Sequence, residues 1–278
     1  MAQVTPTARP VGSPPRSAPR IGMLIGPVIF ALLLGVWEAV IRLLGVSEIL
    51  VPAPSSIASA LWAGLVVSPR SPVAFYGPTL RTLSEALGGL SIGATVGLAL
   101  AVLLTRTRVI ERYAMPYIMA FQSLPKIAIA PLFIVWFGFG VTSIVVLVAT
   151  STFFAILVNA VEGFKSTDAD RLDLMRAIGA SPAQTFWTLI LPGAFPFIFS
   201  GLQIALVISI LSTIVGEFIN GRDGLGARIL LSNNVLDIPD VFAVLIILGT
   251  MAAGLDFLLR LIRRRVLFWS PGERRLGL

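Results

Sequence analysis

The chain contains neither cysteine nor histidine. Those two absences remove disulfides, thiol nucleophiles, Cys/His metal centres and any Ser-His-Asp relay from the chemistry open to it. Lysine is nearly missing too. Lys126 follows Pro125 and Lys165 follows Phe164, so neither stands in the glycine-lysine of a phosphate-binding loop. Charge is scarce overall, with 13% Asp, Glu, Lys and Arg.

What is abundant is apolar surface. Hydrophobic residues make up 56% of 278 positions and the mean hydropathy is +0.92, which leaves too little polar surface to cover a soluble globule of this length. Lipid is the expected solvent for most of the chain. The net charge of +7 does not point to nucleic acid, because the basic residues form short clusters beside apolar runs and not one face with interleaved aromatics.

A span needs about 20 mostly apolar residues to cross a hydrocarbon core roughly 30 Å thick. Six segments qualify: 21–44, 80–104, 110–137, 141–161, 193–216 and 241–262. With the amino terminus inside, fifteen Lys and Arg flank the spans on the cytoplasmic side, against Arg70, Arg81, Arg222 and Arg228 outside. Both termini are then cytoplasmic. The expected architecture is an all-α polytopic membrane protein of about six transmembrane helices. A disordered cytoplasmic tail is expected at 1–20, a transmembrane domain at 21–265 and a second tail at 266–278. The first tail has five prolines, three arginines and no acid, a composition that cannot bury a core. The apolar run after it is longer than a signal core and lacks a small-x-small cleavage site, so it reads as a retained helix. An interfacial outer helix is expected at 55–67.

Several spans carry internal signals. Gly89, Gly93, Gly97 and Ala101 repeat every four residues and line one helix face with small side chains, which suits close packing within the chain. Pro116, Pro125 and Pro131 break the third span, with Gln122, Ser123 and Lys126 clustered at the break, a polar hinge or a pathway-lining bend. Ser209, Ser212, Thr213, Gly216, Glu217 and Asn220 share one face of the fifth span. Such a face either lines a translocation path or cements a helix interface. Asn159 is a further pathway candidate. Glu38 with Arg42, and Asp256 with Arg260, are spaced i, i+4 with the acid first and read as structural pairs.

Between the fourth and fifth spans lies a cytoplasmic loop, 162–191, of soluble character. Gly179 can take the left-handed conformation that ends a helix, Ser181 can cap the next, and Pro182 is favoured at its first position. Two short helices meeting at a corner are expected. Leu172, Met175, Ala177 and Ile178 would give the first an apolar edge for a partner, while Asp170, Arg171, Asp173 and Arg176 keep it soluble.

At the corner the sequence resembles the permease subunits of binding-protein-dependent ABC importers of the nitrate, sulfonate and taurine type. In their loop signature Asp173, Leu174 and Met175 stand at the EAA positions, followed by Arg176 and Ala177. Gly179, Ala180 and Ser181 supply a GAS, and Leu191 and Pro192 the leucine-proline. Only the acid of the EAA triplet is conserved in kind. Leu50 to Ser55 resemble an LPxPS element, and Pro125, Ala128, Pro131, Leu132, Trp136, Phe137 and Gly138 match a further stretch. Glu217 falls where the family commonly carries a glutamate.

The resemblance implies a type I importer permease fold and a subunit that is not itself an enzyme. A partner ATPase would bind the ATP, so no cofactor is expected here. The implied partners are cytosolic ABC ATPase subunits seated on the corner, an extracytoplasmic binding protein that delivers substrate, and a second permease chain in a homodimer. The lipid of a prokaryotic cell membrane surrounds them. A secondary transporter would need coupling carboxylates in two repeated halves. No internal repeat is present, and Glu38 and Asp256 have arginine partners.

Overall fold

The computed structural model describes residues 21–71, 73–220 and 222–268. The tail expected at 1–20 lies outside them, as does all of the carboxy-terminal one beyond residue 268. The described residues form helices and turns with no strand among them. Contacts divide the chain into two units, one ending at Ser55 and the next beginning at Ser56.

In the first unit, helix α1 (Ile21–Leu44) includes Pro27 and ends with Arg42 in its last turn. Glu38 pairs with Arg42 as the spacing predicts, and its carboxylate also accepts the Ser55 N–H at 3.0 Å and the Ser55 hydroxyl at 2.8 Å.

In the second unit, α2 (Pro54–Val66) is the expected outer helix, one residue displaced. The framework is α3 (Tyr76–Thr105), α6 (Val141–Lys165) and α9 (Leu191–Asn220). Their contact is made by small residues. A methyl group added at Gly93 would stand 2.8 Å from the Ala149 carbonyl oxygen, and one at Gly97 would stand 2.8 Å from that of Phe153. Gly89, Gly93, Gly97 and Ala101 are all buried. The four-residue stripe therefore packs α3 backbone to backbone against α6 within one chain. At the end of this seam nearer the 162–191 loop, Leu104, Leu157, Val161, Phe164, Ala194 and Ile198 form a core cluster.

The third expected span is not one helix. It is α4 (Arg108–Gln122), a 3₁₀ turn (Lys126–Ile129) and α5 (Ala130–Phe137). Pro116 is carried inside α4, Pro125 sits in the break, and Pro131 lies in the first turn of α5, where its missing N–H costs nothing. Five helices among the described residues are long and apolar enough to cross a membrane. With the broken third segment they make up the all-α polytopic architecture.

The fifth span begins earlier than hydropathy suggests. Helix α8 (Pro182–Thr185) passes through a π-helical turn (Phe186–Ile190) directly into α9. In the π turn the Leu191 N–H reaches back five residues to the Phe186 carbonyl. Pro192 is the physical cause: it offers no N–H, and its ring would crowd the carbonyl four residues earlier, so a widened turn relieves both problems. Helix α10 (Leu225–Asn234) was not anticipated, and α11 (Ile238–Val266) is the last span, capped by Asp237 accepting the Asp240 N–H. α10 packs on α9, α11 and α3.

Gly93→Val should lower the abundance of folded protein in membranes by at least half. An overpacked core costs about 1–3 kcal/mol, and here the obstacle is backbone that cannot step aside. Quantitative immunoblotting of the membrane fraction against Gly88→Val, where the nearest atom lies at 3.8 Å, checks this.

Candidate functional site

Two regions concentrate the unusual geometry. The first is the corner between α6 and α9. Asp168 caps α7 (Ala169–Ala177) by accepting the Asp170 N–H at 3.1 Å. Gly179 follows with φ +74°, the left-handed conformation expected of it, and nothing approaches the space where a side chain would go. Ser181 and Gln184 then form a reciprocal capping box: the Ser181 hydroxyl accepts the Gln184 N–H at 3.2 Å, and the Gln184 side chain accepts the Ser181 N–H at 2.8 Å. Pro182 opens the next helix.

The apolar edge differs from the expected one. Leu172 and Met175 turn toward the bundle and are half-buried, whereas Leu174 and Ile178 point outward with 62% and 67% of their surface exposed. Trp187, in the π turn, is 66% exposed. No residue of α7 is fully buried, and its outward edge of Leu174, with Ile178 just beyond it, is left without an apolar partner among the described residues. Asp173 is joined to Arg176 at 2.7 Å, an exposed pair worth little by itself. Ala180 is half-buried, and Leu191 and Pro192 form the start of α9.

The second region is the polar face of α9. Ser209, Ser212, Thr213 and Glu217 have no exposed surface at all. The Ser209 hydroxyl donates to the Leu206 carbonyl and that of Thr213 to the Ser209 carbonyl, both at 2.8 Å. Asn220 closes on the turn before α6, its side-chain oxygen accepting the Gly140 N–H at 3.1 Å.

Glu217 has the densest set of partners. Its Oε1 accepts the Thr82 hydroxyl at 2.6 Å and its Oε2 accepts the Gly226 N–H at 2.6 Å, while the Thr82 oxygen accepts the Leu225 N–H at 2.9 Å. Two backbone donors at the start of α10 are thus taken by α9 and α3. The sequence offered one hint of this, the repeated glycines of Gly224 and Gly226. A side chain at Gly224, where φ is +102°, would collide with the Glu217 carboxylate. Glu85, fully buried, pairs with Arg81 at 2.8 Å one turn from Thr82.

Arg228 extends the fastening to α11. It pairs with Asp240 through both nitrogens at 2.7 and 2.9 Å, lies 4.0 Å over the Phe75 ring, and donates to the Val73 carbonyl at 2.8 Å. Sequence reasoning used Arg228 only to assign sidedness. The residues that complete its site lie up to 155 positions away.

The remaining candidates stand apart from these. Gln122 and Ser123 are exposed at the break. Lys126 donates to the freed Gln122 carbonyl at 2.8 Å and sits 4.7 Å from the Phe154 ring centre. Asn159, half-buried, donates to its own helix at the Ala155 carbonyl. Asp256 pairs with Arg260 and also accepts from Gln203 at 2.9 Å, linking α11 to α9.

An all-helical bundle with five helices long and apolar enough to cross a membrane among the described residues, fastened at one end and projecting a capped corner, has the architecture of a multi-pass membrane protein. The sequence carries the family signature across most of its length: residues 93–268 match the binding-protein-dependent transport system inner membrane component, and the chain belongs to that family. It is an ABC importer permease of a prokaryotic cell membrane. It is similar to the riboflavin transport system permease protein RibX of Chloroflexus aurantiacus, at 34% identity over 91% of both chains. It is also similar to the formylaminopyrimidine transport permease protein ThiX of Halalkalibacterium halodurans, at 31% over 81% of this chain and 87% of that one. The taurine transport system permease protein TauC of Escherichia coli is 29% identical over 86% and 87%. In fold it resembles a chain of the MetNI methionine ABC transporter in an inward-facing conformation, with a TM-score of 0.59 and 22% identity, over 67% of this chain and 93% of that one.

Asp240→Ala should destabilise the protein by about 3–5 kcal/mol, since it leaves a guanidinium with only 14% exposure without its carboxylate. Arg228→Met combined with Asp240→Leu should recover much of the loss. Thermal unfolding in detergent, followed by tryptophan fluorescence, reads both.

Proposed function

We propose that the corner at Gly179 is the seat of a separate cytosolic ATPase, which binds and hydrolyses the ATP that this chain does not. The observation that carries the reading is helix α7: none of its residues is fully buried, it ends in a backbone geometry that only a residue tolerant of positive φ adopts at little cost, and it leaves Leu174, Ile178 and Trp187 exposed. Asp173, Met175, Arg176, Ala177, Ala180 and Ser181 complete that surface. Leu191 and Pro192, at the end of the π turn, join it to the membrane helix. Nucleotide-driven closure of the ATPases would move the corner, and the continuous helix from Pro182 to Asn220 would carry the movement across the bilayer.

The path itself is proposed to form between two copies of this chain, loaded from outside by a binding protein. Gln122 and Ser123, exposed at the break, suit its lining. Glu217 suits the other role open to a polar helix face, holding helices together, because its bonds cross to α3 and α10. Ser209, Ser212 and Thr213 are also fully buried within one chain, but Ser209 and Thr213 bond to their own helix and the Ser212 hydroxyl has no hydrogen-bond partner among the described residues, which suits neither an open lining nor a helix-to-helix bond. Asn159, half-buried, likewise bonds to its own helix. For the cargo, two relatives above 30% identity are named for riboflavin and for formylaminopyrimidine, which favours a nitrogen heterocycle over a sulfonate or nitrate. The domain limits follow the same reading: a membrane domain over 21–265 with the loop 162–191 inside the cell.

Gly179→Val should abolish co-purification with the cognate ATPase and ATP-driven uptake while leaving membrane abundance unchanged. A β-branched side chain at positive φ costs roughly 1–3 kcal/mol and reshapes the corner. Gly179→Asn, which tolerates that conformation, should retain most of both. Equal ATPase capture by both variants would remove the corner as the docking site. Calorimetric titration of the cognate binding protein with riboflavin, thiamine precursors and taurine decides the cargo.

A further inference from the structure

Helix α10 has two faces with different tasks. One is fastened: the N–H groups of Leu225 and Gly226 go to Thr82 and Glu217, and the N-cap Gly224 is pressed against the same carboxylate. The other is open. Ala227, Arg228, Leu231 and Ser232 of α10 line a cavity of about 660 Å³ whose opposite wall is Gly77, Pro78 and Arg81 at the start of α3. By the distribution of arginine this cavity lies on the extracytoplasmic side.

We propose that Glu217 is a positioning residue for the outer mouth: acting through Thr82 and the first turn of α10, its carboxylate fixes the wall of the outer cavity that substrate passes on entry. The assignment rests on geometry. A single threonine hydroxyl is used twice, as donor to Glu217 and as acceptor from Leu225, so the three helices α3, α9 and α10 meet at one oxygen. Thr82 and Glu217 have no exposed surface, which leaves no solvent to replace either bond if one is lost. Glu217 also stands at the amino end of α10, where a carboxylate meets unpaired N–H groups and the positive end of the helix dipole. The bonds fall on the start of α10, the part that leads into the cavity wall. Loosening them frees the first turn of that wall around Ala227, while Arg228 and Ser232 stay held by Asp240 farther along, and it leaves the glycine seam of α3 and α6 packed. The sidedness of the cavity rests on the permease reading; the clasp does not.

Isosteric replacements separate this role from packing. Thr82→Val keeps the shape and removes both hydrogen bonds, whereas Thr82→Ser removes a methyl group and keeps them. The chain has no native cysteine, so Ala227→Cys, at a site 2% exposed on the cavity wall, gives a single reporter thiol. With membrane-impermeant maleimide added to intact cells, Thr82→Val should raise the labelling rate at residue 227 on the order of tenfold, as expected when a buried hydrogen-bond pair is lost and local opening becomes easier. Thr82→Ser should leave it within about twofold, and uptake should follow the same order. If Thr82→Val fails to reach the membrane, Glu217→Gln serves instead. It retains an acceptor for Gly226 and places an amide nitrogen against the Thr82 hydroxyl, and labelling should rise by about threefold or more. Equal labelling in the valine and serine variants, or faster labelling in serine than in valine, would overturn the proposal. Acceleration seen only with a permeant maleimide after cell permeabilisation would uphold the clasp and overturn the sidedness of the cavity.

Discussion

The structure depends on how closely α3 and α6 approach. Lipid gives helices no hydrophobic reason to associate, so association within a bilayer rests on dispersion contact and on hydrogen bonds between helices. Gly93 and Gly97 let carbonyl groups of the neighbouring helix come to within reach of van der Waals contact, and any side chain larger than hydrogen at those positions meets backbone. Once that seam is closed, α9 packs against both helices and the cluster around Leu157 and Phe164 fills in behind it.

Polar groups follow the same economy. The hydroxyls of Ser209 and Thr213 return to their own helix, while Glu217 and Thr82 bond across helices and Asn220 bonds to the turn before α6, all at the end of α9 away from the corner. Buried in a low dielectric, each bond is strong when made and costly when orphaned. Glu217 and Asn220 therefore give this end of the bundle a specific arrangement, where apolar packing alone would leave it free to slide.

Much of this was legible in the sequence, and the reason is locality. The corner reads correctly because Gly179, Ser181 and Pro182 act on their immediate neighbours through backbone conformation and capping. The limits of the first, second, fourth and sixth spans read to within a few residues because hydropathy is a property of a window, whereas the helix of the fifth span runs on from Pro182, well before residue 193. The broken third span was announced by Pro125, although Pro116 proved compatible with α4. What could not be read was long-range. Thr82 meets Glu217 across 135 positions and Arg228 meets the Val73 carbonyl across 155, and no periodicity encodes either meeting. The outward edge of α7 was misjudged for a related reason: helical spacing shows which side chains share a face but not which face turns to the bundle.

The π turn at Phe186–Ile190 has a consequence for how the chain tolerates change in length. One additional residue wound into a helix advances everything beyond it by about 100° of rotation and 1.5 Å of rise. The wide turn absorbs that surplus at the junction between a soluble elbow and a lipid-embedded rod. The two can be phased independently, so that the elbow is aimed at its neighbour without disturbing which flank of the rod faces the glycine seam. A homologue shorter by one position here would swing its elbow a quarter turn around the axis while its membrane portion stayed in register.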